Sequence, residues 1–233
     1  MSERPRDFLG TLTSGQRKFL KEIVSFEVKK INWDLDQVLA ASEEPLLKWF
    51  DLLHGTNFRF EKIKSGWDPV TEMAAKHFQT NLAQVSEWEN ELWTDPDVLF
   101  AAEPNYGIRR FSWLASHTGV VQTVATSRNS HFKDSTPEWL AKYYPWIDKG
   151  NIYQNKDTNM DGSDFKLKTI LGLQPDVHVE DSIRFIRRLY ESDSSVGIIG
   201  FPYEHDDTEG LARDNVILFP DLDIFTRLIH RSV

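Results

Sequence analysis

The chain has no cysteine among its 233 residues, which removes disulfides, thiolate zinc ligands and a cysteine nucleophile from consideration. It also lacks any apolar run near the roughly 18 residues that a membrane-spanning helix needs. Its first residues, Met1-Ser2-Glu3-Arg4-Pro5-Arg6-Asp7, lack the apolar segment of a secretory signal. A cytoplasmic protein with no membrane partner is the expectation. Basic charge is in deficit, with 27 Lys and Arg against 36 Asp and Glu and a formal net charge of -9. That balance disfavours binding along a nucleic acid polymer and suits a small anion carried with a metal ion. No repeat, low-complexity run or long Pro/Gly/Ser linker divides the chain.

What is present is a large apolar share, 40% of residues, arranged in alternating helical and strand-like patterns. Phe19, Leu20, Ile23 and Val24 recur at helical spacing, and Val28, Ile31, Trp33 and Leu35 then lead to a first carboxylate, Asp34. A second apolar strand runs from Val120 to Thr126, directly after Gly119, which is placed to close a helix over residues 108–117. Further strands are expected at 151–155, 177–179, 196–201 and 216–219, with helices at 137–144, 164–171 and 221–230. Strands alternating with helices predict an α/β fold, a Rossmann-like parallel sheet covered on both faces.

Residues 41–105 break this rhythm, since they are long, look helical and fall between the first two strands. They are expected to form a helical cap inserted in a core made of residues 1–40 and 106–233. Turn signals stand at Gly55, Gly66-Trp67-Asp68-Pro69 and Asp95-Pro96. The aromatics Trp49, Phe50, Trp67, Phe78, Trp88 and Trp93 fit either the small core of this insert or a platform for a planar ligand.

Four places carry polar groups suited to chemistry. Asp34 and Asp36 end the first strand, where open parallel sheets place their ligand sites. Thr126-Ser127-Arg128 ends the second, bringing hydroxyls to the same edge. Lys166 begins a helix in Asp164-Phe165-Lys166. Glu180-Asp181 ends the apolar strand Val177-His178-Val179, where adjacent acids need a cation, a metal or backbone donors. Phosphoryl transfer asks for such a set, because charge developing on the phosphoryl oxygens has to be met by fixed positive groups and donors. Each place also has a plainer reading, as solvated turn, helix cap or surface lysine. His54, His77, His117 and His178 show no metal-ligand spacing. The cluster Tyr203-Glu204-His205-Asp206-Asp207 reads as a polar loop at the same sheet edge.

The order Asp34-Leu35-Asp36, Thr126, Lys166, Glu180-Asp181 resembles the four motifs of the haloacid dehalogenase superfamily, over residues 28–200. The resemblance implies a phosphatase in which Asp34 is nucleophile and Mg2+ ligand. Asp36 would be acid/base and bind metal through its carbonyl, Thr126 and Lys166 would hold the phosphoryl group, and Asp181 would complete the metal site. Gln37 departs from the glycine common there, and Lys156 competes with Lys166 for the lysine's place. Thr126-Ser127-Arg128, the helical insert, Leu92-Trp93-Thr94-Asp95-Pro96 and Pro104-Asn105-Tyr106-Gly107 are similar to the 5'(3')-deoxyribonucleotidases. That finer resemblance implies a nucleotide as the small phosphorylated substrate, with Ser127 and Arg128 near its phosphate. The alternatives are a phosphatase for sugar phosphates or other metabolites, and a catalytically silent binding protein of the same fold.

Overall fold

In the computed structural model, residues 5–58, 68–129, 135–156, 159–203 and 206–232 are described. Six parallel strands form the main sheet: β1 (Lys30–Trp33), β4 (Val121–Asn129), β5 (Ile152–Asn155), β6 (Val177–Glu180), β7 (Gly197–Gly200) and β8 (Val216–Leu218). Their spatial order is β5-β4-β1-β6-β7-β8. β1 is therefore central, pairing Ile31 with both Gln122 of β4 and Val177 of β6. The chain leaves β1 toward β4 and leaves β6 toward β7, so the order reverses between β1 and β6. A crevice opens at such a reversal, beyond the carboxyl ends of the strands.

Strand composition follows from burial on both faces, which favours near-continuous apolar runs over alternation. On one face Ile31, Trp33, Val177 and Val179 pack with α1 (Pro5–Thr11), α2 (Ser14–Val24), α7 (Tyr106–His117) and α11 (Leu222–Ser232) through Phe8, Leu20, Ile23, Phe111 and Phe225. On the other face Ala125, Ile198 and Val216 meet α9 (Gly162–Leu173) and α10 (Ile183–Glu191) through Ile170, Phe185, Ile186 and Leu189. α8 (Thr136–Tyr143) adds the fully buried Trp139.

The stretch between β1 and α7 holds α3 (Glu43–His54), α4 (Asp68–Phe78), α5 (Leu82–Thr94) and α6 (Pro96–Ala101). They enclose an apolar cluster of their own, centred on Leu46, Phe50, Ala74, Val85, Leu92 and Val98. Two short antiparallel strands, β2 (Ala40–Ala41) and β3 (Glu103–Pro104), lie where the chain departs and returns. Asn105 ties this stem, since its carboxamide donates to the carbonyls of Gln37 at 2.7 Å and Val38 at 2.9 Å. Among the aromatics, His54, Phe78 and Trp88 pack against one another, which spends their faces inside the cap. Trp67 and Gly66 lie outside the described residues.

Candidate active site

Asp34 follows the last residue of β1 and is anchored by its N–H to the Val179 carbonyl, 3.0 Å. Thr126 lies on β4, the neighbour on one side, and Glu180 ends β6, the neighbour on the other, with Asp181 directly after it. Lys166 comes from α9, whose start is pressed against the end of β4. A Cβ on Gly162 would stand 2.8 Å from the Ser127 carbonyl oxygen and 2.9 Å from its Cβ, so only glycine allows this approach. The Asp161 carboxylate caps the helix there, accepting from Ser163 and Asp164 N–H at 2.9 and 3.2 Å. Lys166 is thereby turned inward, its side chain 4% exposed.

Its ammonium reaches Asp34 Oδ1 at 2.7 Å and Glu180 Oε2 at 2.5 Å, and lies 4.6 Å over the Phe185 ring. Lys166 therefore takes the lysine's place beside the aspartates, and Lys156 lines a separate groove with Lys149 and Lys168. Glu180 is fully engaged. Oε2 also accepts from His178 Nε2 at 3.0 Å, and Oε1 accepts from Ser182 N–H at 3.1 Å, at the cap of α10.

Asp34, Glu180 and Asp181 each offer an oxygen within 4.8 Å of the others. Set against the single Lys166 ammonium, three carboxylates leave a formal charge of -2. Burial raises the Asp34 pKa to about 7, with Glu180 and Asp36 adding to the rise and Lys166 opposing it. Burial likewise pushes Asp181 well above the ordinary carboxylate range, helped by Glu180 and Asp34. Glu180 is held down at about 2, because Lys166 and His178 outweigh its burial. An all-oxygen set with two charges uncompensated fits a hard divalent cation such as Mg2+. Since Glu180 already has three partners, Asp34 and Asp181 are the carboxylates with capacity to spare.

Asp36 turns elsewhere. Its carboxylate accepts Arg128 Nε at 2.9 Å, Arg128 Nη2 at 2.8 Å and Ser42 Oγ at 2.7 Å. Arg128 also donates Nη1 to the Trp93 carbonyl, 2.9 Å, and stacks 5.3 Å from the Trp93 ring, joining cap to core. Gln37 takes φ 58°, the left-handed region that glycine enters without cost. Glutamine holds this turn at a cost in backbone strain. Thr126, Ser127, Arg128, Lys166, Asp34, Asp36 and Asp181 all line one cavity of about 450 Å³.

No protein-family model matches the sequence, and no curated protein does either. Solved structures do match. A putative phosphatase from Clostridium difficile superposes with TM-score 0.59 at 14% identity, over 87% of this chain and 98% of that one. A conserved haloacid dehalogenase-like protein of unknown function from Agrobacterium tumefaciens gives TM-score 0.56 at 17% identity, over 88% and 98%. The fold is haloacid dehalogenase-like. A third match is CbbY from Rhodobacter sphaeroides in complex with xylulose-(1,5)bisphosphate, with TM-score 0.51 and 17% identity over 82% of this chain and 93% of that one.

Within this haloacid dehalogenase-like core, several site residues carried no clear sequence signal. His178 reads as one more residue of a buried strand, and its bond to Glu180 emerges only because side chains two apart share a face. Tyr203 donates its hydroxyl to Glu43 at 2.5 Å, linking the loop after β7 to the root of the cap. Asp206 accepts from the Tyr203 N–H, 2.7 Å, and Glu204 and His205 lie outside the described residues. The passages around Asp95 and Asn105 have structural tasks. Asp95 caps α6 through the Asp97 N–H, and Asn105 ties the stem. Among the described residues, no helix is long and apolar enough to cross a membrane.

Proposed function

We propose that the protein is a Mg2+-dependent phosphomonoester hydrolase that works through an aspartyl phosphate on Asp34. The observation that carries this is the set of buried Asp34 and Glu180 with half-buried Asp181 around Lys166, left with a formal charge of -2 at the switch point of a haloacid dehalogenase-like sheet. Asp34 and Asp181 would hold the metal, which when bound supplies positive charge that lets an anionic ester approach an anionic nucleophile. An Asp34 carboxylate oxygen attacks phosphorus and the P–O bond to the leaving alcohol breaks. Asp36 gives its proton to that leaving oxygen, then takes one from the water that attacks the aspartyl phosphate, releasing inorganic phosphate and restoring Asp34. Lys166 and the Thr126 hydroxyl hold phosphoryl oxygens. For its part in this, Asp36 has to exchange Arg128 for the substrate, since both of its oxygens accept from the guanidinium here.

For the leaving group, a sugar phosphate is favoured over a nucleotide. Among the described residues, Trp93 is the cap tryptophan that lines the cavity, and Arg128 stacks on its ring. CbbY, of similar fold, was captured with a sugar bisphosphate.

The test is Mg2+-dependent phosphate release from p-nitrophenyl phosphate, followed by matched panels of sugar monophosphates and nucleoside monophosphates. Turnover of sugar phosphates at higher kcat/KM is expected. Absence of release from every ester would end the hydrolase reading, and a clear preference for nucleotides would overturn the choice of leaving group alone.

A further inference from the structure

His178 stands in β6, between β1 and β7 in the middle of the sheet, and is fully buried. A histidine there is costly, because an imidazole moved out of water loses hydrogen bonds that an apolar side chain never had. Its neighbours on the strand, Val177 and Val179, show what the position would otherwise hold. The compensation is specific. Residues 178 and 180 point to the same face, and His178 Nε2 lies 3.0 Å from Glu180 Oε2. Glu180 is flanked by the Lys166 ammonium at 2.5 Å, so it is ionised and only accepts. The shared hydrogen is therefore on His178 Nε2.

The consequence reaches the nucleophile through a short chain of contacts. The Glu180 carboxylate is pinned from the strand by His178 and from the cap of α10 by Ser182 N–H, 3.1 Å, and these two contacts fix its plane. Oriented in this way, it receives one hydrogen of Lys166 while a second goes to Asp34 Oδ1 at 2.7 Å. An ammonium has three hydrogens, so one remains for a phosphoryl oxygen. The Phe185 ring fills the space beside them, with Lys166 Nζ 4.6 Å over it and the His178 ring edge-on at 5.6 Å. Without the His178 bond, the Glu180 carboxylate can rotate about its last torsion, and the lysine follows it or collapses onto Asp34.

We infer that His178 is a positioning residue of the active site, whose Nε2–H fixes the Glu180 carboxylate and so aims Lys166 between the nucleophile and the phosphoryl group. This rests on the phosphatase reading for its kinetic consequence, though not for its geometry. Partners one bond removed from a reacting centre typically change activity or ligand affinity by about 10- to 100-fold when they are lost.

Two substitutions separate aiming from mere filling of space. In His178→Gln the amide nitrogen reaches the place of Nε2, and in His178→Asn it stops short, while both keep a buried amide. The expected result is kcat close to the parent for His178→Gln, and kcat reduced about 10- to 100-fold with KM changed less than about threefold for His178→Asn. The second readout needs no turnover. In protein labelled with 15N-lysine, the buried ammonium of Lys166 should give a slowly exchanging Nζ resonance in the parent and in His178→Gln, and a broadened or lost one in His178→Asn. Equal losses in both variants would mean that the site needs only the imidazole's shape. An unchanged Nζ resonance in His178→Asn would overturn the inference even if no ester were ever hydrolysed. Absence of turnover in the parent together with the expected Nζ pattern would sink the phosphatase reading and leave the positioning intact.

Discussion

Replacing Lys166 by methionine tests the charge arrangement of the site without relying on catalysis. The side chain is 4% exposed and is the cation shared by Asp34 and Glu180, which are 8% and 0% exposed. Methionine keeps the aliphatic bulk and the contact with Phe185 but leaves two buried carboxylates facing each other. Removing one partner of a buried ion pair costs about 3–5 kcal/mol, because the other charge remains uncompensated. In a domain of this size each kcal/mol lowers Tm by about 2–4 °C, so a drop of roughly 6–20 °C at pH 8 is expected. The cost should shrink at pH 5. Without the lysine, both acids have folded-state pKa values above their unfolded ones. Their stabilising contribution is then present at low pH and lost as pH rises through those folded values. The triple comparison with Glu180→Gln alone and with the double variant supplies the coupling energy, and the double variant should recover part of the loss. The assay is thermal unfolding in chelator at both pH values. A Tm at pH 8 within about 3 °C of the parent, or a loss no smaller at pH 5, would refute the burial and pairing described for these groups.

The same bookkeeping applies to the parent. Asp34 is raised to about 7, above the unfolded value of 3.8, so in chelator its share of stability should decline as pH rises from about 4 through about 7. Saturating Mg2+ should restore Tm at pH 8 and do little at pH 5, measured by the same unfolding assay. For activity, Asp34→Asn should abolish release of inorganic phosphate, and Asp36→Asn should lower kcat by about 10²–10⁴, read in a continuous phosphate assay. Gly162→Ala should cost about 1–3 kcal/mol through the forced separation of α9 from Ser127, and should lower kcat by more than its stability loss explains, because Lys166 rides on that helix. Equal kcat in Gly162→Ala and the parent would show that the approach of α9 to β4 does not position the lysine.

Much of the frame was legible in the chain because burial on both faces leaves a direct trace. The apolar runs leading to Asp34, from Val120 to Thr126 and from Val196 to Phe201 read as strands of a covered sheet, and the helical spacing between them implied parallel crossovers. Helix α10 is less legible: Phe185, Ile186 and Leu189 have the spacing of a buried helical stripe, but the helix spans only Ile183–Glu191. Site residues at strand ends were readable, since an acid that ends an apolar run is out of place unless something meets its charge. The choice between Lys156 and Lys166 was not, as both follow plausible elements and spacing alone does not turn a side chain inward. It took the contact of Gly162 with Ser127 to bring α9 close enough for Lys166 to reach Asp34.

By itself, then, the sequence determined that an α/β sheet would gather Asp34, Thr126 and the Glu180-Asp181 pair at one edge, because strand direction and hydrophobic periodicity are local properties. The tertiary structure decided what those groups do to one another. It gave Lys166 to Asp34 and Glu180, set Asp36 against Arg128, and placed His178 behind Glu180. Each of these pairings joins residues far apart in the chain or hidden in a strand, and their energies depend on distances of about 3 Å and on exclusion of water, neither of which periodicity encodes.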